Sequence, residues 1–126
     1  FLHSSVLCYG GAEGKPGEGA PLKLIDHAEQ LTDFAQTAAL MSQLDLVITI
    51  DSGAAHLAGA LGKPVWMFTP FACDWRWGMR GERCAWYPTM RLFRRGLNET
   101  WEAVVQRVAG ALRKTAANPV DLHHFQ

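Results

Sequence analysis

The sequence predicts an α/β fold: a parallel sheet flanked by helices, within a single domain spanning residues 1–126. Three observations point there. Two near-continuous apolar runs, DLVITI (Asp45–Ile50) and PVWMFTP (Pro64–Pro70), have the unbroken apolarity of strands buried on both faces. A segment of helical period precedes the first run, and a short helix of small residues separates the two. The resulting order, strand–helix–strand–helix–strand, is that of βαβ units.

Taken in order, LHSSVL (Leu2–Leu7) reads as a short strand. Residues 10–21 hold five glycines and two prolines, which exclude a helix or a central strand and predict a flexible Gly/Pro loop. Its glycines are spaced neither as G-x-G-x-x-G nor as a Walker loop, so a phosphate cradle is not expected there. Leu22–Ile25 reads as a second strand continuing towards His27. Asp33, with Gln36 three positions on, marks a helix start. Phe34, Ala38, Met41 and Leu44, with Leu40 alongside, then form one apolar face.

After the Asp45–Ile50 strand, Gly53–Leu61 forms a short helix carrying Leu57 and Leu61, ended by Gly62 and stopped by Pro64. Phe71–Thr89 has no clean period and reads as a long structured loop of the kind that is usually functional. Met90–Arg95 gives a last short strand. The final helix starts near Asn98 or Thr100 and runs to about Lys114, with Trp101, Val104, Val105, Val108 and Leu112 as its buried stripe. Residues 116–126 are expected to form a loose tail, and the His123–His124 pair lacks the further ligands of a metal site.

Composition bounds the function. The chain has 126 residues, 48% apolar and 19% charged, with twelve basic and twelve acidic side chains. It is too apolar for a disordered chain, and no run approaches the roughly 18 residues of a membrane span. Zero net charge argues against a general nucleic-acid binder. The balance conceals a gradient. Residues 1–70 carry three basic and seven acidic side chains, and residues 71–126 carry nine and five. Six arginines fall between Arg76 and Arg95, a local cluster suited either to an anionic ligand or to a solvated loop. Cys8, Cys73 and Cys84 have neither the spacing of a zinc site nor an even count, which points to reduced thiols and a cytoplasmic setting. The chain begins at Phe1 with no signal-peptide pattern, as a piece of a longer protein would.

The stretch with the most chemistry is TIDSGAAHLAGALGKPVW, Thr49–Trp66. Asp51 follows a buried strand, at the carboxyl edge where open parallel sheets bind ligands. Ser52 and Gly53 make the turn, and Ala54 and Ala55 leave the first-turn N–H groups uncovered. Free donors and the positive end of the helix dipole together make an anion site. Ser52 can add a hydroxyl, and His56 lies within reach of the same anion. Asp51 suits a hydroxyl-rich group such as a sugar. Each residue also has a plainer reading: Ser52 or Asp51 as a cap, and His56 as a packed or surface residue.

DLVITIDSGAAHLAGALGKPVW resembles the nucleotide-diphosphate-sugar site of heptosyltransferase-type (family 9) glycosyltransferases, with their D-[ST]-G-x-x-H-L-A-x-A-L-G-x-P element. The longer string, from DFAQTAALMSQL through DWRW to WYPTMRLFRR, resembles the C-terminal catalytic region of bacterial tetratricopeptide-repeat proteins with a family 9-like, O-linked-GlcNAc-transferase-like domain. The likeness runs from about Thr32 to Leu112. It implies the C-terminal half of a GT-B architecture, a Rossmann-like domain that binds a nucleotide diphosphate sugar.

On that resemblance, Asp51 is the donor-sugar ligand, Ser52, Gly53 and Ala54 bind the diphosphate at the helix start, and His56 stands near it. Arg76 and Trp77 are the candidates for loop contacts. The resemblance calls for no cofactor and no metal, and it leaves the catalytic base unassigned. Only 44 residues precede Asp45, too few for the acceptor-binding domain of such an enzyme. The expectation is therefore a donor-binding part that does not turn over alone and works with an N-terminal domain or tetratricopeptide repeats. The alternative is a non-catalytic nucleotide-sugar-binding or protein-interaction module of the same fold.

Overall fold

A computed structural model describes Leu7–Cys8 and residues 25–117. The expected Gly/Pro loop at 10–21, most of the strands expected at 2–7 and 22–25, and the tail beyond residue 117 lie outside the described residues. Four strands, β1 (Leu7–Cys8), β2 (Val47–Ile50), β3 (Val65–Thr69) and β4 (Met90–Arg94), form one sheet in that order. The pairs β2–β3 and β3–β4 are parallel, and β1 runs antiparallel along β2. Three helices accompany them: α1 (Phe34–Ser42), α2 (Gly53–Ala60) and α3 (Trp101–Ala117). The α/β arrangement expected from the apolar runs is the one observed. Its one helical crossover between neighbouring parallel strands is β2–α2–β3, because β3 reaches β4 through the long loop and a 3-10 turn at Trp75–Trp77.

Strand alternation sends side chains to two cores. Val47, Val65, Met67, Met90 and Leu92 face α1, α2 and the loop, packing with Met41, Ala54, Ala55, Ala58 and Trp77. Leu46, Trp66 and Phe93 face α3, against Val104 and Val108. Trp66 and Phe93 pack at 5.3 Å between ring centroids, and the Arg91 guanidinium lies 4.6 Å from the Phe93 centroid.

Asp33 caps α1 as expected: its carboxylate accepts from the Gln36 N–H at 2.8 Å. The Gln36 side chain, however, turns to Thr32, accepting from both its N–H and its hydroxyl. The buried face of α1 is Thr37 and Met41, continued by Leu44 just past the helix, rather than a stripe beginning at Phe34. Thr37 is buried at little cost because its hydroxyl donates to the Asp33 carbonyl, and Phe34 stays 55% exposed. In α3 the stripe is Val104, Val108 and Thr115, with Ala111 and Leu112 half-buried beside it. Trp101 and Val105 turn outward instead, 43% and 50% exposed. Trp101 packs edge-on against Phe68 and carries the Arg95 guanidinium on its face. Gly62 ends α2 as the sequence suggests. It adopts φ 67°, its N–H donates to the Gly59 carbonyl, and the Lys63 N–H donates to the Ala58 carbonyl.

Candidate functional site

The carboxyl ends of the parallel strands place Asp51, Pro70 and Arg95 along one edge of the sheet. Asp51 is exposed, and among the described residues its carboxylate has no hydrogen-bond partner. Ser52 occupies the N-cap position of α2 in extended conformation, but its side chain makes no capping bond. Its hydroxyl donates to the Ile50 carbonyl at 3.2 Å and lies 3.5 Å from that of Thr49. The Ser52 carbonyl accepts the Ala55 and His56 N–H groups, and among the described residues the N–H groups of Gly53 and Ala54 have no acceptor. The exposed Phe34 ring lies over this turn: a Cβ on Gly53 would stand 3.3 Å from the Phe34 Cζ.

His56 points into the long loop. Its Nδ1 is 3.0 Å from the Tyr87 hydroxyl, and its ring stacks on Trp77 at 4.9 Å and 31°. The Tyr87 ring meets it edge-on at 5.8 Å. The α2 surface is shaped for this approach. A Cβ on Gly59 would fall 2.5 Å from the Tyr87 Cγ, so only glycine admits the ring at that position.

Of the two loop candidates, Trp77 is 1% exposed and packs in the core, its indole N–H buried and without a partner among the described residues. Arg76 is held by Asp74 through two parallel contacts, Nε to Oδ1 at 3.0 Å and Nη2 to Oδ2 at 3.1 Å. The Arg76 backbone N–H holds the Asp74 carboxyl below its usual value against the opposing effect of burial, with lesser help from the Arg76 side chain and the more distant His56. Asp51, Ser52, Gly53, Ala54 and His56 thus share one turn, with Trp77 joined to them through the His56 ring. Arg76 follows one residue earlier, on the 3-10 turn.

Arg94 was not a candidate from the sequence, yet it organises the loop. From the end of β4 its guanidinium donates to the Gly81 carbonyl at 2.7 Å, the Trp77 carbonyl and the Cys73 sulfur. The signal lay in strand alternation: Arg94 shares the inward phase of Met90 and Leu92. Arg107 continues the network, binding Glu99 and the Arg94 carbonyl. Glu99 is held below its usual value, chiefly by the Gly96 N–H and then by Arg107. A surface pocket of about 400 Å³, lined by Arg80, Glu82, Arg83, Met90 and Arg91, lies beside the amino end of β4 and takes no part in this edge. Among the described residues, no helix is long and apolar enough to cross a membrane.

Residues 30–71 match the sequence profile of glycosyltransferase family 9 (heptosyltransferase). The chain is also 40% identical over 86 residues to Protein FlbA of Caulobacter vibrioides, an alignment covering 68% of this chain and 14% of that protein. No solved structure matches. The family match contains Asp51–His56 and ends at Phe71, so Arg76, Trp77 and Tyr87 lie beyond it. Residues 30–71 are thus similar to family 9 glycosyltransferases, and they lie within an α/β sheet that has helices on both faces.

Proposed function

We propose, from the family 9 match over residues 30–71, that this chain is the donor-binding part of a glycosyltransferase that moves a sugar from a nucleotide diphosphate sugar to an acceptor. The observation that carries the reading is the start of α2: two unclaimed backbone donors at Gly53 and Ala54, on the carboxyl edge of the sheet, inside the matched segment. A diphosphate placed there is favoured by the N–H groups and the helix dipole, at about 0.3–1 kcal/mol per charge contact. The same donors stabilise the negative charge that develops on the departing nucleotide diphosphate, so bond breaking at the sugar is assisted without being driven by a protein acid.

Asp51, exposed and without a hydrogen-bond partner among the described residues, accepts from sugar hydroxyls. Ser52 sets the turn through the Ile50 carbonyl, and His56 adds the ring nitrogen that Tyr87 does not occupy. Arg76, paired with Asp74, is a reserve cation for the donor, while Trp77 supports His56 from beneath. The acceptor and the base come from outside this chain, from an N-terminal domain or from tetratricopeptide repeats, in a cytoplasmic protein of GT-B architecture. Turnover by this chain alone is not expected.

Asp51→Ala separates sugar from diphosphate recognition. Calorimetric titration is expected to show weaker binding of intact UDP, GDP or ADP sugars with little change for the bare nucleoside diphosphates. Equal losses for both ligand types would show that Asp51 supports the turn rather than the sugar. No nucleotide binding at millimolar concentration would instead favour a non-catalytic interaction module.

A further inference from the structure

We infer that Tyr87 is a positioning residue that holds His56 as its Nε2–H tautomer, a fixed hydrogen-bond donor beside the first turn of α2. What that donor faces rests on the donor-site reading above; the tautomer itself follows from the contacts of the ring. Side chains of a helix lean toward its N-terminus, so the His56 side chain leans toward the turn begun by Ser52 and Gly53, while its ring meets Trp77 and Tyr87 of the long loop. A neutral imidazole has one donor and one acceptor nitrogen, and the partner of one fixes the role of the other.

The partner here is the Tyr87 hydroxyl, 3.0 Å from Nδ1. Among the described residues that hydroxyl has no second partner, so its proton is free to point at Nδ1. A phenol is also a more effective donor than acceptor. Tyr87 therefore donates, Nδ1 accepts, and the imidazole proton resides on Nε2.

Three features hold the ring in this role. Trp77 lies against one face, the edge-on Tyr87 ring limits rotation, and the bare Cα of Gly59 lets Tyr87 come close. Asp74 lies within electrostatic reach of His56, and Arg76 occupies both Asp74 oxygens. With those oxygens taken up, Nε2 is left free for a ligand, and no protein group hydrogen-bonds it among the described residues. The long loop thus supplies the orientation of a residue that belongs to the helix.

The test is the nitrogen NMR spectrum of His56 in the full chain, at a pH where the ring is neutral, with the resonance assigned through His56→Gln. In the wild-type chain Nδ1 is expected to show the shift of an unprotonated acceptor and Nε2 that of an N–H. Tyr87→Phe keeps the ring over Gly59 and removes only the hydroxyl, so both signals are expected to move toward a tautomer mixture. Pyrophosphate is expected to perturb Nε2 and to bind the wild type about three- to tenfold more tightly than Tyr87→Phe, the scale of one weakened hydrogen bond to a charged ligand. A protonated Nδ1 in the wild type, or shifts unmoved by Tyr87→Phe, would overturn the inference and leave Tyr87 a packing residue. An intact tautomer shift with no response of His56 to pyrophosphate supports the inference and refutes the donor site instead.

Discussion

Gly59→Ala reverses the usual sign of a helical glycine substitution. In an open helix position, alanine is favoured over glycine by about 0.8–1.0 kcal/mol. At Gly59 the new Cβ meets Tyr87 Cγ, Cδ1 and Cδ2 at 2.5, 2.7 and 2.9 Å, against the roughly 3.5–4.0 Å of an ordinary carbon contact. These are ring atoms next to the backbone, so the whole ring has to move by about 1 Å. Overpacking of this kind costs about 1–3 kcal/mol, and losing the Tyr87–His56 bond adds about 0.5–1.5 kcal/mol. After the propensity gain is subtracted, the net is a destabilisation of about 0.5–4 kcal/mol. Gly110 in α3 is the internal control, since a Cβ there meets nothing within 4 Å. Gly110→Ala is expected to stabilise by close to the full propensity gain. Urea unfolding followed by tryptophan fluorescence measures both, and in a Tyr87→Ala background Gly59→Ala should turn stabilising. A Gly59→Ala chain as stable as the wild type, with Tyr87 intact, would refute the reasoning.

Other substitutions probe the scaffold. Arg94→Met keeps the apolar stem but strips three loop contacts, and chemical unfolding should show a loss of about 1–3 kcal/mol with earlier exposure of the loop tryptophans. Asp33→Ala removes the cap of α1 and should cost about 1 kcal/mol by the same measurement. Asp74 and Glu99 both have folded values depressed below their ordinary 3.8 and 4.5. Their contribution is therefore present above those ordinary values and is lost as pH falls through the depressed ones. Asp74→Asn or Glu99→Gln should flatten the acid limb of a Tm-against-pH profile, and an unchanged slope would show that these contacts do not stabilise the fold.

Periodicity made the sheet legible because β3 is buried on both faces and β2 is buried on the face of Val47 and Thr49, with Ile48 half-buried on the other. The same reasoning located α2 within a residue and named Gly62 as its terminator, since both depend on local chemistry. It failed where an apolar residue is not core. Phe34 lies over Gly53 and Trp101 supports Arg95, roles set by tertiary neighbours that no helical period encodes. At the site, the contiguous turn Asp51–His56 was readable because strand end, small residues and helix start are adjacent in sequence. Tyr87 and Arg94 were not, because their partners lie 31 and up to 21 positions away. Trp77 is a candidate only through the resemblance of the DWRW loop, and the fold places it buried under His56.

The most direct test of the central claim is calorimetric titration of UDP, GDP and ADP into the wild-type chain and into Gly53→Asp. Position 53 is exposed, its Cβ meets only the free end of the Phe34 ring, and a carboxylate in the first turn stabilises a helix while repelling an anion. A diphosphate at the start of α2 predicts binding of at least one nucleotide that is lost in Gly53→Asp, with helix content and Tm maintained. Equal binding by the two chains would contradict it.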